Sequence, residues 1–277
     1  MKATVIIENS VPISSPKPFC SEHGYSLLIE VDSVKILLDA GQSDAVMHNM
    51  ALLDVDPNQL DAVIVSHGHY DHTGGLKSIL QHRSKPLPIY GHQSIFQSRF
   101  SIGGNRHYIG IPYSKEELTS LGAEWRLSSE IQEITPKLVF SGQIPRETPY
   151  ETGDPKLVIA DGQCDCQDPI YDDTALYYSS AKGLVAIAGC SHSGLVNTVE
   201  YGLKIMKQKK FAGWIGGTHL GPAGSEQQEK TLAKLEEYQP YFIAASHCTG
   251  FYIMAELQRR FGSRFIPAFT GQIIEMD

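Results

Sequence analysis

Short apolar, β-branched runs alternate with amphipathic stretches from one end of the chain to the other. Strands are expected at Thr4 to Glu8, Tyr25 to Val31 and Val34 to Asp39, the last two joined by a tight Asp32-Ser33 turn. Ala62-Val63-Ile64-Val65 is apolar without interruption, as a strand buried on both faces is. Helices announce themselves by capping signals at Ser114-Lys115-Glu116-Glu117 and Ser225-Glu226-Gln227-Gln228, where the first and fourth side chains can satisfy each other's backbone donors. Leu195, Val199, Leu203 and Met206 recur at helical spacing, as do Met254, Leu257 and Phe261 ahead of Gly262, and both stripes read as core. Leu184 to Ala188, Ala212 to Ile215 and Phe242 to Ala245 are three further strands, each followed closely by a histidine: His192, His219 and His247. Strand ends hand the chain to loops, where sites are commonly built. No low-complexity linker divides the chain, so residues 1–277 are expected to form one domain. The Pro-, Asp- and Gly-rich stretch at about 141–173 is expected to be a long ordered excursion, in the manner of a lid.

Composition narrows this picture. A 42% hydrophobic content supports a substantial core, and a formal charge of −8 argues against a nucleic-acid or anionic-membrane surface, which needs clustered Lys and Arg. Glu8 stands where a signal peptide needs its apolar stretch, and nothing approaches the roughly 18 to 20 apolar residues of a membrane span. Five scattered cysteines do not make a disulfide framework. A cytoplasmic protein with free thiols is the expectation, and the oligomeric state is left open.

The chemistry gathers in His67-Gly68-His69-Tyr70-Asp71-His72, immediately after the 62–65 strand. Histidines two apart in extended chain point to the same side and can pinch one ion, while Asp71 and His72 turn elsewhere and can serve a second. From this chain's own frequencies such a run arises by chance about once in a thousand, so it is read as a ligand set rather than a polar loop. Imidazole with carboxylate suits zinc first, with manganese or iron as the alternatives. Two divalent ions would acidify a shared water from about 15.7 toward 7 and polarise a phosphoryl or carbonyl oxygen.

The stretch from Ser66 to Gly75 resembles the signature of the metallo-β-lactamase superfamily. The resemblance extends to Leu37-Leu38-Asp39-Ala40-Gly41, Gly189-Cys190-Ser191-His192 and Ser246-His247-Cys248. It implies an α/β fold, an αββα sandwich of two mixed sheets flanked by helices. Within the superfamily, Ser141 to Arg146, Gly189 to Asn197, Gly216 to Leu220 and His247 to Gly250 are similar to a subgroup named for a dihydropterin-ribofuranosyl-aminobenzene phosphate synthase. Carried over, the resemblance implies His67, His69 and His192 on one ion, with Asp71, His72 and His247 on the other. Cys190 stands where the wider family places a bridging Asp or a Cys ligand, and the alternative assignment makes it a second-site ligand with the first site completed differently. Asp71 is also expected to be catalytic. His219, outside the family's ligand pattern, is expected to act on substrate or in proton transfer, with metal ligation as its other role. Arg146 is expected to grip a substrate anion, because a planar guanidinium suits phosphate or carboxylate.

His23, His48, His82, His92 and His107 lie outside any ligand spacing and are expected to be incidental, as are the Cys164-x-Cys166 pair and the acids Asp172-Asp173. The leading expectation is a binuclear metal-dependent hydrolase or group-transfer enzyme for a small anionic, phosphorylated or pterin-like substrate, working through hydroxide generated on the metals. The rivals are a di-iron redox enzyme on the same scaffold and a non-catalytic, metal-stabilised binding protein. The first rival usually replaces the second histidine of the run by Glu and carries a flavin module, and here that position is His69.

Overall fold

The computed structural model describes residues 1–161 and 164–276. Two seven-stranded mixed sheets face each other. The first runs, in spatial order, Ile273–Glu275, Lys2–Ile7, Ser26–Val31, Val34–Leu38, Ala62–Ile64, Leu87–Gly91 and Ala123–Leu127. The second runs Phe265–Pro267, Phe242–Ala245, Phe211–Gly216, Gly183–Ala188, Ala175–Ser180, Leu138–Phe140 and Gln132–Thr135. Each sheet is antiparallel toward one edge and parallel toward the other.

The alternation of side chains along each strand decides the layering. Leu27, Ile29, Ile36 and Leu38 point inward with Phe140, Leu176, Val185 and Ile187 to form the core between the sheets. Leu28 and Leu37 point the other way, under the helices Ala45–Leu52, Leu76–Gln81 and Lys115–Ser120. Leu184 and Ala186 do the same on the second sheet, under Leu195–Ile205, Ser225–Tyr238 and Phe251–Phe261. Strands covered on both faces have no polar side to show, which is why their sequences read as unbroken apolar runs. The result is the αββα sandwich. No helix among the described residues is long and apolar enough to cross a membrane.

Two local expectations meet different outcomes. Ser114 caps its helix, its Oγ accepting from the Glu117 amide at 3.1 Å. Ser225 does not cap: Gly224 takes that place, and the Gln228 side chain donates through Nε2 to the carbonyls of Leu220 and Ala223. The excursion is also more ordered than its composition suggests. Leu157–Asp161 and Cys164–Gln167 join Arg99–Ser101 and His107–Tyr108 in a small antiparallel sheet. The Cys164 side chain lies outside the described set, so nothing further attaches to the Cys164/Cys166 pair.

Candidate metal centre

Ala62–Ile64 delivers the chain to Ser66 and the histidine run at the end of its strand. His67 to His69 is extended, and a single helical turn, Tyr70–Thr73, follows. That change of backbone separates the donors: the first two imidazoles face one side, and Asp71 and His72 leave from the turn. Gly68 is required at the crossing, because a Cβ there would lie 1.9 Å from the Ile95 carbonyl oxygen.

His67 Nε2 and His69 Nδ1 are 3.0 Å apart, and His192 brings a third nitrogen into the same cluster, all within 4.8 Å of one another. Two nitrogens bound to one tetrahedral ion at about 2.0–2.1 Å would themselves lie roughly 3.3 Å apart, so the pair has the spacing of neighbouring ligands. On the other side, Asp71 Oδ2 is 3.5 Å from both His72 Nε2 and His247 Nε2. Cys190 stands between these groups, its Sγ 3.2 Å from His72 Nε2 and clustered with His67 and His72. His192 and Cys190 are therefore both at the centre and do not exclude each other. His219 packs on His192 with ring centroids 4.0 Å apart, and its donors cluster with Cys190 and His192.

The donor set fits a cation. Nε2 of His192 and Nε2 of His247 are buried with no hydrogen-bond partner among the described residues. Burial holds His67, His69, His192 and His247 well below the ordinary histidine range, leaving neutral imidazoles with free lone pairs. His72 departs from this: burial pushes it down, but Asp71 and Asp39 prevail and raise it to about 9. Imidazoles, a carboxylate and a thiol together match zinc, and the harder donors alone match iron or manganese.

A layer of residues that spacing did not reveal fixes the donors. The Asp39 carboxylate, fully buried, accepts from the Ser66 amide, from the Ser66 hydroxyl and from His72 Nδ1, each at 2.7 Å. Ser66 Oγ in turn lies 2.9 Å from His67 Nδ1, so one carboxylate sets the tautomer of a histidine on each side of the centre. Asn9 Oδ1 meets His247 Nδ1 at 2.8 Å, and Glu8 accepts from the His247 amide at 2.7 Å. Burial raises Glu8 to about 7. Asp39, Ser191, His219 and His247 all have φ between 49° and 63°, a left-handed backbone concentrated where four chain segments turn into the site.

Several expectations are corrected. Arg146 does not present its guanidinium to an anion: Nη1 donates to the His192 carbonyl at 2.9 Å and Nη2 to that of Ile170 at 3.1 Å. Asp172 and Asp173 are not solvated but buried, Asp172 accepting from the Gly68 amide and Asp173 from the Ser193 amide, beside the two histidine loops. Arg99 bridges Asp168 and Asp172 from beneath. His23 is not incidental in position, its Nε2 lying 3.6 Å from Asp71 Oδ2, and it shares with His107 the rim of the cavity over the centre. His48 and His82 bond to backbone carbonyls away from the centre, and His92 is buried outside the donor clusters. The cavity encloses about 190 Å³, and no Lys or Arg lines it among the described residues.

Comparison with known proteins bears on the family and the fold. A family model described as the metallo-β-lactamase superfamily matches residues 22–156. A Methanocaldococcus jannaschii protein named 7,8-dihydropterin-6-methyl-4-(β-D-ribofuranosyl)-aminobenzene-5′-phosphate synthase is 32% identical, over 93% of this chain and 91% of its own length. A second, uncharacterised protein of that organism is 34% identical, over 93% of this chain and 95% of its own. A crystal structure described as a metal-dependent hydrolase of the β-lactamase superfamily superposes with a TM-score of 0.83 at 26% identity, covering all of both chains.

Proposed function

The chain belongs to the metallo-β-lactamase superfamily, and from that premise we propose that it is a binuclear metal-dependent hydrolase or group-transfer enzyme for a small anionic substrate, phosphorylated or pterin-like. The observation that carries this reading is the gathering of donors: His67/His69/His192 on one side, and on the other Asp71 within 3.5 Å of both His72 and His247, with Cys190 clustered with His67 and His72 and His23 clustered with Asp71 and His247. In it, His67, His69 and His192 would hold one divalent ion, and Asp71, His72 and His247 would hold the second with Cys190 beside it. The chemistry supplied by metal bound there would be acidification of water toward neutral pH and polarisation of a phosphoryl or carbonyl oxygen. The protein's own groups do the rest. Asp39 keeps His67 and His72 aimed, and the small sheet that contributes Ser101, His107 and Leu157 to the cavity wall limits water over the centre. In this reading His219, which lines the same cavity beside the Cys248 thiol, passes a proton to or from a bound substrate.

An anion here would meet the ions and the imidazoles of His23, His107 and His219 rather than a guanidinium. The relative named as a synthase supports the group-transfer side of the reading. The free thiols of Cys190 and Cys248 suit a reducing, cytoplasmic setting. Metal analysis after reconstitution with zinc or manganese tests the core of the proposal, together with a screen of phosphomonoesters and phosphodiesters. Close to two equivalents per chain and turnover of at least one ester class are expected, and a stoichiometry that never passes one would remove the binuclear centre.

A further inference from the structure

His23 lies outside the six-residue run, on the connection between Lys2–Ile7 and Ser26–Val31, yet its imidazole reaches the second group of donors. Three ring nitrogens surround one carboxylate oxygen. Nε2 of His72 and Nε2 of His247 each lie 3.5 Å from Asp71 Oδ2, and Nε2 of His23 lies 3.6 Å from it. A hydrogen bond from nitrogen to oxygen closes to about 2.7–3.2 Å. None of these three closes, and a shared gap of this size is what ligands of one ion show, since donors at about 2.0–2.1 Å in tetrahedral geometry lie roughly 3.3 Å apart. Donor atoms of His23, Asp71 and His247 fall within 4.8 Å of one another, while His72 groups in the same way with His67 and Cys190. His72 is thus the inner neighbour of Asp71, fully buried, and His23 the outer one, with its side chain 56% exposed.

The chain on either side of His23 is tied to the same centre. The Glu22 carboxylate accepts from the amides of Gln42 and Ser43 and from the Ser43 hydroxyl. The Gly24 amide donates to Asn9 Oδ1 at 3.4 Å, the oxygen that also meets His247 Nδ1. The Tyr25 amide donates to the Asp71 carbonyl at 3.1 Å. A Cβ at Gly24 would lie 2.8 Å from that carbonyl oxygen, so the glycine lets this segment close on the run. The side chain has a partner of its own, with Nδ1 of His23 3.4 Å from the Tyr70 hydroxyl. A proton on Nδ1 directed at Tyr70 leaves the Nε2 lone pair facing Asp71 and His247, which is the tautomer of a ligand.

We propose that His23 is a ligand of the second ion, bound through Nε2 and sharing that ion with Asp71, His72 and His247. This rests on the proposed function for the presence of a second ion, and gives His23 a closer part than contact with a substrate anion. Because His23 is exposed while His72 and His247 are buried, it closes the solvent side of that ion and controls its exchange.

The test titrates cobalt(II) into metal-free protein and follows the visible absorption, whose position and intensity report the ligands around the ion. Wild type is compared with His23→Ala and with His82→Ala, an exposed histidine bonded to the Ser78 carbonyl away from the centre. Loss of an outer partner of a metal site costs about 10-fold to 100-fold, and loss of a ligand should cost no less. One of two cobalt ions is therefore expected to weaken by about 10-fold or more in His23→Ala, with the other spared and His82→Ala unchanged. Free imidazole should then restore the wild-type spectrum by filling the place of the missing ring. Unchanged affinities in His23→Ala, or a loss that falls equally on both ions, overturns the proposal and leaves the binuclear reading standing. A selective loss whose spectrum imidazole fails to restore overturns it too. Wild-type protein that takes up one cobalt only removes the proposed function instead, and His23 is then judged by whether His23→Ala weakens that one ion.

Discussion

Asp39 carries more of the centre than any residue outside the donors themselves. Its carboxylate orients His72 directly and His67 through Ser66, so one side chain sets the aim of a histidine in each cluster. Asp39→Asn keeps the volume but replaces one acceptor oxygen with a donor that must face either the Ser66 amide, at Oδ1, or Ser66 Oγ and His72 Nδ1 together, at Oδ2. Removing such orienting partners commonly weakens metal binding by about 10-fold to 100-fold, and if two ions bind as proposed, both should be affected. Competition against a chromophoric chelator measures this, and affinities within about twofold of wild type for both ions would show that Asp39 is only structural. The donors were legible because six consecutive positions carry their pattern. The roles of Asp39, although it lies in a stretch that carries the resemblance, and of the adjacent Glu8 and Asn9 were not, since these residues sit at the ends of apolar strands and acquire their roles only when the sheet places them beside histidines distant in sequence. Arg146 misled for the same reason: the carbonyls of His192 and Ile170 that occupy it cannot be seen from its neighbours.

The helix Leu195–Ile205 shows what an element can require from elsewhere. It starts at Gly194, with φ of 97° and no capping side chain. Its exposed amides are met instead by Glu151, whose two oxygens accept from Val196 and Asn197 at 2.8 Å each. The arrangement depends on the glycine, because a Cβ at Gly194 would lie 2.1 Å from Glu151 Oε2. Asn197 returns the contact by accepting from the amides of Glu147 and Thr148. Burial raises Glu151 from 4.5 to about 7 despite these bonds. The folded chain thus holds this proton where the unfolded chain has lost it. The associated stability is complete below about 4.5 and disappears as pH rises through about 7. Tm should accordingly fall between pH 5.5 and 8.5, and the fall should be shallower in Glu151→Gln, with Glu8 supplying a remainder of the same sign. Identical slopes in the two proteins would sink the assignment. Sequence shows the helix stripe but not this cap, which lies more than forty residues upstream. The two Ser-initiated signals make the same point, since Ser114 caps and Ser225 yields to Gly224.

At the scale of the molecule, the centre lies where strands of both sheets end. Ala62–Ile64 belongs to the first sheet and leads into the six-residue run, while Gly183–Ala188, Phe211–Gly216 and Phe242–Ala245 belong to the second and lead to Cys190 and His192, His219 and His247. A strand followed by a histidine was readable four times over. The small sheet above the centre was not, because its pairing joins residues 99–108 to 157–167 through polar, turn-rich chain. The shared ligation has a kinetic consequence. Candidate donors spread from residue 67 to residue 247 come together only when the sheets are already docked, so ions bound there would act as rivets set after assembly. Contacts that form only after the sheets dock would be missing from the folding transition state, and their loss would register in escape from the native state rather than in approach to it. Stopped-flow in urea should show the chelated protein unfolding about 10-fold or more faster than the loaded one, with refolding limbs that nearly coincide. Equal unfolding limbs would mean that the ions sit in the seam without fastening it. If the limbs part as expected, metal supply sets how long each copy of this protein lasts, quite apart from whether it turns over substrate.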